Sequence, residues 1–348
     1  MAFYHNLKDY QRKEAAARAA GQDIDYPGKA DWIASRLLEL RTHLRDQIIG
    51  RRRSNSLIIG SWNIRAFDGG RPRMDESYHY IAEIIGTFDI CAVQEVKTDL
   101  APLERLVRLL GPNWEYFVND VTEGDDGNSE RMAFLYNRDR VFFRNLIGEL
   151  VLPREGLLAG RPLARSPFFA SFQAGWFRFT LCSAHIVFGD DYALRVAEID
   201  AISGRLAERS KKEEQAGKDQ VYVLIGDMNI EEAGDEAMQA MTQHGLHVPL
   251  FGPTNMGGDK HYDQMAFSKQ DVKTKLLNKG SFDWRGAVFR AEDAAHYRPH
   301  AEKMRGGAYA DWERSYKSWT THEMSDHLPI WIELEVDYSD DYLRRFTG

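Results

Sequence analysis

The chain has 348 residues, 43% of them hydrophobic, and a formal net charge of −8. No stretch approaches the roughly 18 unbroken apolar residues of a membrane-spanning helix, which excludes a bilayer span. The acidic balance removes the basic footprint of many nucleic-acid binders, although bound divalent ions make a cleft locally positive even on an acidic protein.

The first residues, MAFYHNLKDYQRKEAAARAAG, are polar and charged, where a secretory signal needs an apolar run of roughly 7 to 15 residues. Cys91 and Cys182 lie in the apolar runs DICAV and FTLCSAHIVF and read as small buried thiols. These features predict a cytoplasmic protein. Residues 1–55 read as a helical N-terminal extension, with Asp31 as the cap and an apolar stripe of Ile33, Leu37, Leu40, Leu44 and Ile48. Such a stripe packs on the chain's own outside, or serves self-association or partner docking. Arg51, Arg52 and Arg53 read as a solvated helix end.

From Ser56 the texture changes to short apolar runs separated by charged, helical segments. Strands are predicted at Leu57–Trp62, Ile90–Val96, Met132–Tyr136, Phe168–Phe172, Trp176–Phe188, Val221–Asp227, Met265–Ser268 and Leu328–Leu334. Helices are predicted near Glu76–Thr87, Ala101–Leu110, Tyr192–Ala216 and Glu232–Thr242. With a hairpin turning at Gly175, this order predicts an α/β (α+β) body over residues 56–337, of stacked sheets flanked by helices rather than a parallel barrel. Within it, residues 269–322 form an aromatic and basic insertion carrying Phe289, Arg290, Tyr297, Trp312, Tyr316 and Trp319; residues 338–348 are a tail. The insertion either stacks nucleic-acid bases or packs as a lid.

Five strands end in polar residues that do not belong in a core. They are Asn63 in SWNIRAF, Gln94 and Glu95 in AVQEV, His185 in CSAHI, Asp227 and Asn229 in LIGDMNI, and Asp326 and His327 before LPIWIEL. Strand ends of a layered domain converge at one edge, so residues this far apart in sequence can share a site.

In this order the motifs resemble the endonuclease/exonuclease/phosphatase superfamily, and within it deoxyribonuclease I. SWNIRAF resembles its AFNIRTF, SERMAFLYN its KERYLFLF, HYDQMAF its AYDRIV and MSDHLPI its SDHYPV. The resemblance implies a four-layer sandwich of two stacked mixed β-sheets flanked by helices, and a metal-dependent nuclease acting on DNA. It adds Glu130 and Asp263 to the site, as orienting carboxylates behind His185 and His327. The two histidines share the general acid and base roles, with His327 preferred as base and His185 as acid. Glu95 and Asn63, joined by Asp227 and Asp326, are the implied ligands of Mg2+ or Mn2+. Asp227 also orients water, and Asn229 donates to the phosphate. Arg65, Lys97 and Arg165 match cationic positions that meet substrate; Lys97 stands where the relative has arginine, which keeps the charge but loses the planar fork.

Two departures bear on substrate. Asn128 replaces the tyrosine that the pancreatic member inserts into the minor groove, and the acidic turn EGDDG, with Glu123, Asp125 and Asp126, repels a second strand unless it holds Ca2+. A lipid, inositol or small nucleotide phosphate ester is the alternative substrate class. GDMNIE and YDQM depart from the GDLNYR and WTDR of the phosphoinositide phosphatases.

Overall fold

A computed structural model describes residues 2–4, 7–21, 29–121, 129–152, 162–189, 191–218, 220–268 and 272–347. Eleven strands are present among them: β1 Ser56–Asn63, β2 Ile90–Val96, β3 Trp114–Val118, β4 Arg131–Asn137, β5 Phe142–Glu149, β6 Phe168–Ala174, β7 Phe177–His185, β8 Val221–Asp227, β9 Asp263–Phe267, β10 Leu276–Ser281 and β11 Ile330–Glu335. The helices are α1 Leu7–Ala19, α2 Ala30–Gln47, α3 Asp75–Ile85, α4 Ala101–Leu110, α5 Tyr192–Gln215, α6 Glu236–Thr242, α7 Ala294–Arg305, α8 Trp312–Glu323 and α9 Ser339–Arg344.

The strands form a six-stranded sheet, β10-β11-β1-β2-β4-β3, and a five-stranded sheet, β5-β6-β7-β8-β9. Both are mixed, because β1 and β2 pair in parallel, as do β7 and β8, while their other neighbours are antiparallel. The inner faces meet over Phe134, Phe168, Phe172, Phe179, Ile332 and their neighbours, all almost completely buried. Alternate residues of the same strands point outward. Leu224 and Cys182 pack under α5 and α6, and Trp62 and Val93 under α2, α3, α4, α7 and α8. The expected four-layer sandwich is the observed fold.

The apolar stripe of α2 is covered by the chain itself. Ile33, Leu37, Leu40, Leu44 and Ile48 are buried in one cluster with Phe289, Tyr297, Trp312, Tyr316 and Trp319. Trp32 stacks on His296 at 3.6 Å and donates to Tyr297, and buried Arg36 reaches Asp293 at 2.9 Å. The N-terminal helix and these aromatic side chains thus seal each other, so for both segments packing on the chain itself is the observed alternative, and docking through the α2 stripe is not supported. Asp31 is no cap: the N-cap is Lys29, and Asp31 lies in the first turn with its carboxylate on the amide of Trp32. Nor is the arginine run simply solvated, since Arg52 binds Asp89 at 2.6 Å.

Residues 276–281, read as insertion, form β10 on the edge of the first sheet. Trp176 stands in the hairpin turn at Gly175, whose positive φ of 54° suits glycine, so β7 begins at Phe177 and ends at His185 rather than reaching Phe188. The EGDDG turn and Asn128, with the calcium reading attached to them, lie outside the described residues. Among the described residues no helix is long and apolar enough to cross a membrane.

Candidate active site

Sheet direction explains why the polar tips meet. The parallel pair β1 and β2 ends at Asn63 and next to Glu95, the parallel pair β7 and β8 ends at His185 and Asp227, and these ends share one edge of the sandwich. The antiparallel neighbours start there: Asp263, the first residue of β9, pairs in register with Asp227, Glu130 immediately precedes β4, and His327 precedes β11. Gln94 ties the two sheets together below this edge, donating to Ser183 at 3.0 Å and to Ser61 at 3.3 Å.

Asp227 is the centre. One of its carboxylate oxygens, Oδ2, accepts from Asn63 Nδ2 at 2.9 Å and lies 3.6 Å from Nε2 of both His185 and His327. The other oxygen accepts the amide of Asn229 at 2.9 Å, while the Asn229 side chain donates to the Ile186 carbonyl at 2.8 Å. Behind each imidazole stands a second carboxylate. His327 Nδ1 meets Asp263 Oδ2 at 2.9 Å, and His185 Nδ1 lies 3.3 Å from Glu130 Oε2.

The SDH segment is fixed by Ser325, whose hydroxyl donates to the Asn63 carbonyl at 2.6 Å and accepts the amides of His327 and Arg65. Thr254, fully buried, holds the other side: its hydroxyl accepts the Asp263 amide and its carbonyl the Leu328 amide. Sequence reasoning passed over Thr254 because a lone threonine in the loop FGPTN carries no pattern.

Two other positions are conformationally special. Glu95 and Asn229 have φ of 63° and 50°, the left-handed region that costs non-glycine residues roughly 1–3 kcal/mol and that clusters at functional sites. At Glu95 this coincides with an irregularity in the β2–β4 register between Val93 and Val96, which turns its carboxylate out of the ladder. Glu95 Oε2 then accepts the Ala66 amide at 2.5 Å. Gly226 has φ 137°, and a Cβ there would stand 2.1 Å from the Ala184 carbonyl oxygen. Gly226→Ala is therefore expected to destabilise the fold by roughly 2–3 kcal/mol, read by chemical denaturation, because β7 and β8 must separate beneath the site.

Residues 60–324 match the Endonuclease/Exonuclease/phosphatase family. The chain belongs to this family. Among curated relatives, the Equus caballus protein named deoxyribonuclease-1 is 32% identical over 90 residues, 25% of this chain and 32% of that one. A protein of Thioalkalivibrio sp. (strain K90mix) named deoxyribonuclease is 31% identical over 155 residues, 42% of this chain and 39% of that one. The chain thus spans about a third of the length of these relatives. Of solved structures, an endonuclease/exonuclease/phosphatase family protein from Bacteroides thetaiotaomicron superposes with TM-score 0.53 at 18% identity, over 82% of this chain and 100% of that one. The human Nocturnin catalytic domain gives TM-score 0.53 at 14% identity, over 80% and 94%.

Enzymes of the endonuclease/exonuclease/phosphatase family hydrolyse phosphate esters and generally use divalent metals. The donor set here fits such an ion in part. Asn63 Oδ1 is buried and has no hydrogen-bond partner, an orphan acceptor on the strand end beside half-buried Glu95. One amide oxygen and one carboxylate are hard donors, and magnesium commonly keeps waters and substrate oxygens for the rest of its octahedron. Among the described residues no three His, Cys, Asp or Glu side chains gather into a metal cage. Asp227, expected among the ligands from sequence, accepts one hydrogen bond on each oxygen, and Asp326, also expected there, is half-exposed and 3.8 Å from Arg65 Nε.

The cations divide. Lys97 and Arg165 both bind Glu130, at 2.9 Å each, and Arg165 is buried with its Nη1 unpartnered. Burial opposes the charged form of Glu130, yet His185, Arg165 and Lys97 outweigh it and hold the carboxyl down at about 2. Burial also opposes charge on His327, but Asp263 and Asp227 prevail and raise it to about 10. These two carboxylates favour the charged form of the His327 ring.

Proposed function

We propose that this protein is a divalent-metal-dependent phosphodiesterase that cleaves DNA by paired histidine acid and base catalysis. The observation that carries the reading is the convergence of two imidazoles on a single Asp227 oxygen, each 3.6 Å away and each backed by its own carboxylate. Two proton-transferring groups facing each other fit an in-line displacement, in which one side gains a nucleophile and the other releases an alkoxide. The deoxyribonuclease names of the partial relatives support DNA as the substrate.

A Mg2+ or Mn2+ ion on Glu95 and Asn63 would supply positive charge to the phosphoryl oxygens. The chain's own residues do the rest. Arg165 Nη1 and the remaining amide hydrogen of Asn229 donate to the phosphate. His327, held charged by Asp263 and Asp227, protonates the leaving oxygen; His185, oriented by Glu130, takes the proton from the attacking water. This favours the reverse of the assignment preferred from sequence, because a base must be uncharged while Asp263 and Asp227 favour the charged form of His327.

The role of His327 has a pH signature. Asp263→Asn removes one of the charges that raise it, so its alkaline limb in a kcat/KM profile is expected to move down by roughly 1–2 pH units. An acidic limb that moves instead would identify His327 as the base. The function is tested by incubating supercoiled plasmid with the protein and Mg2+ or Mn2+, with EDTA as control, beside small phosphate monoesters. Relaxation that EDTA abolishes is the expected result. Intact supercoils with every metal, with turnover of a monoester, would move the reading to the phosphatases.

A further inference from the structure

The loop after β1 and helix α8 flank an open surface cleft of about 420 Å³, lined by Arg65, Arg71, Ser315, Ser318, Trp319 and His322 together with Tyr309, a size that suits a small ligand. It adjoins the candidate site: Arg65 follows Asn63 by two residues, and Ser325 links the Arg65 amide to the Asn63 carbonyl. We propose that this cleft binds a second phosphate of the substrate, next along the strand from the scissile one. The inference rests on the nuclease reading above and names the part of the substrate that the reading leaves open.

Positive charge is concentrated here and held in place. Arg71 lies over the Trp319 ring at 5.7 Å and donates to the Trp319 carbonyl at 3.3 Å, and the Arg65 guanidinium donates to Thr321 at 2.6 Å. Arg73, buried behind them, donates to the Arg65 carbonyl. Both cleft arginines remain partly open, with side chains 40% exposed for Arg65 and 31% for Arg71. The opposing carboxylates are loosely placed: Asp326 is 3.8 Å from Arg65, and Glu323 is 3.5 Å from Arg71. Glu323 is moreover buried, with an oxygen committed to Met74 and Ser77, and burial raises its carboxyl. Burial lowers the His322 imidazole; its hydrogen bond to the Arg71 carbonyl at 2.8 Å opposes this, and the charges of Arg71, Arg73 and Arg65 add to the lowering. Two forked guanidiniums with the Ser318 hydroxyl on the exposed rim match a phosphate's oxygens in number and charge.

The test uses the full chain with dithymidine phosphodiesters carrying a 5′-phosphate, a 3′-phosphate or neither. One of the phosphorylated dinucleotides should be cleaved with a kcat/KM at least about tenfold above the bare one, the scale of a charged hydrogen bond. Arg71→Ala should bring that ratio close to one, and so should Ser318→Glu, which adds a carboxylate to the rim without disturbing packing. A change that merely loosened the fold would slow all three substrates and leave the ratio standing. Equal rates for the three substrates with wild-type protein, or a ratio that survives both substitutions, would overturn the proposal. Failure to cleave any of them, or plasmid, would instead remove the nuclease reading and the subsite with it.

Discussion

His185→Ala and His327→Ala are each expected to lower DNA cleavage by about 10²–10⁴, the usual effect of losing a general acid or base. The two differ in what they leave behind. Without His327, Asp263 keeps a fully buried carboxylate whose imidazole partner at 2.9 Å has gone, and one-sided loss of a buried pair costs roughly 3–5 kcal/mol. Thermal unfolding should therefore fall clearly for His327→Ala. His185→Ala leaves Glu130 still bound by Lys97 and Arg165, so its stability should change less. His327→Gln, which restores a donor toward Asp263, should recover stability and not activity. Activity within a few-fold of wild type in both alanine variants would remove the two histidines from the reaction.

The second large effect is expected at Glu95. Glu95→Gln keeps an oxygen for the Ala66 amide and the size of the side chain, and removes only the charge. Cleavage at fixed Mg2+ should drop by roughly a hundredfold or more, with saturation moved to higher metal concentration. Metal titrations of wild type and variant check this. An unchanged titration curve would place the ion elsewhere or make Glu95 a purely structural turn former.

Most of the fold was legible because the central strands are apolar on both faces and bounded by turn residues. β2, β8 and α4 have the predicted ends. The strands missed were β3, β5 and β10, each at or near a sheet edge. β5 is largely exposed and contains Arg144 and Asn145, and β10, LLNKGS, has an irregular register against β11. An edge strand has one neighbour and a wet side, so polar residues occupy it and the alternation is lost.

At the site, the polar strand tips stood out because Asn63, Glu95, His185 and Asp227 follow runs with no other reason to stop. Their partners were another matter. That Lys97 and Arg165 meet at Glu130 depends on which strand lies beside which, and nothing in their spacing says so. The aromatic residues of α8 likewise show the same spacing whether they face nucleic acid or α2; only the packed structure reveals that they are buried.

The central claim is that both imidazoles serve one phosphate around Asp227, and comparing plasmid cleavage by His185→Ala, His327→Ala and the double variant tests it most directly. Groups acting as a unit lose most of their effect with the first removal, so the double variant should be little slower than the worse single one. Losses that multiply across the pair would contradict the account, because they would mean two independent contributions.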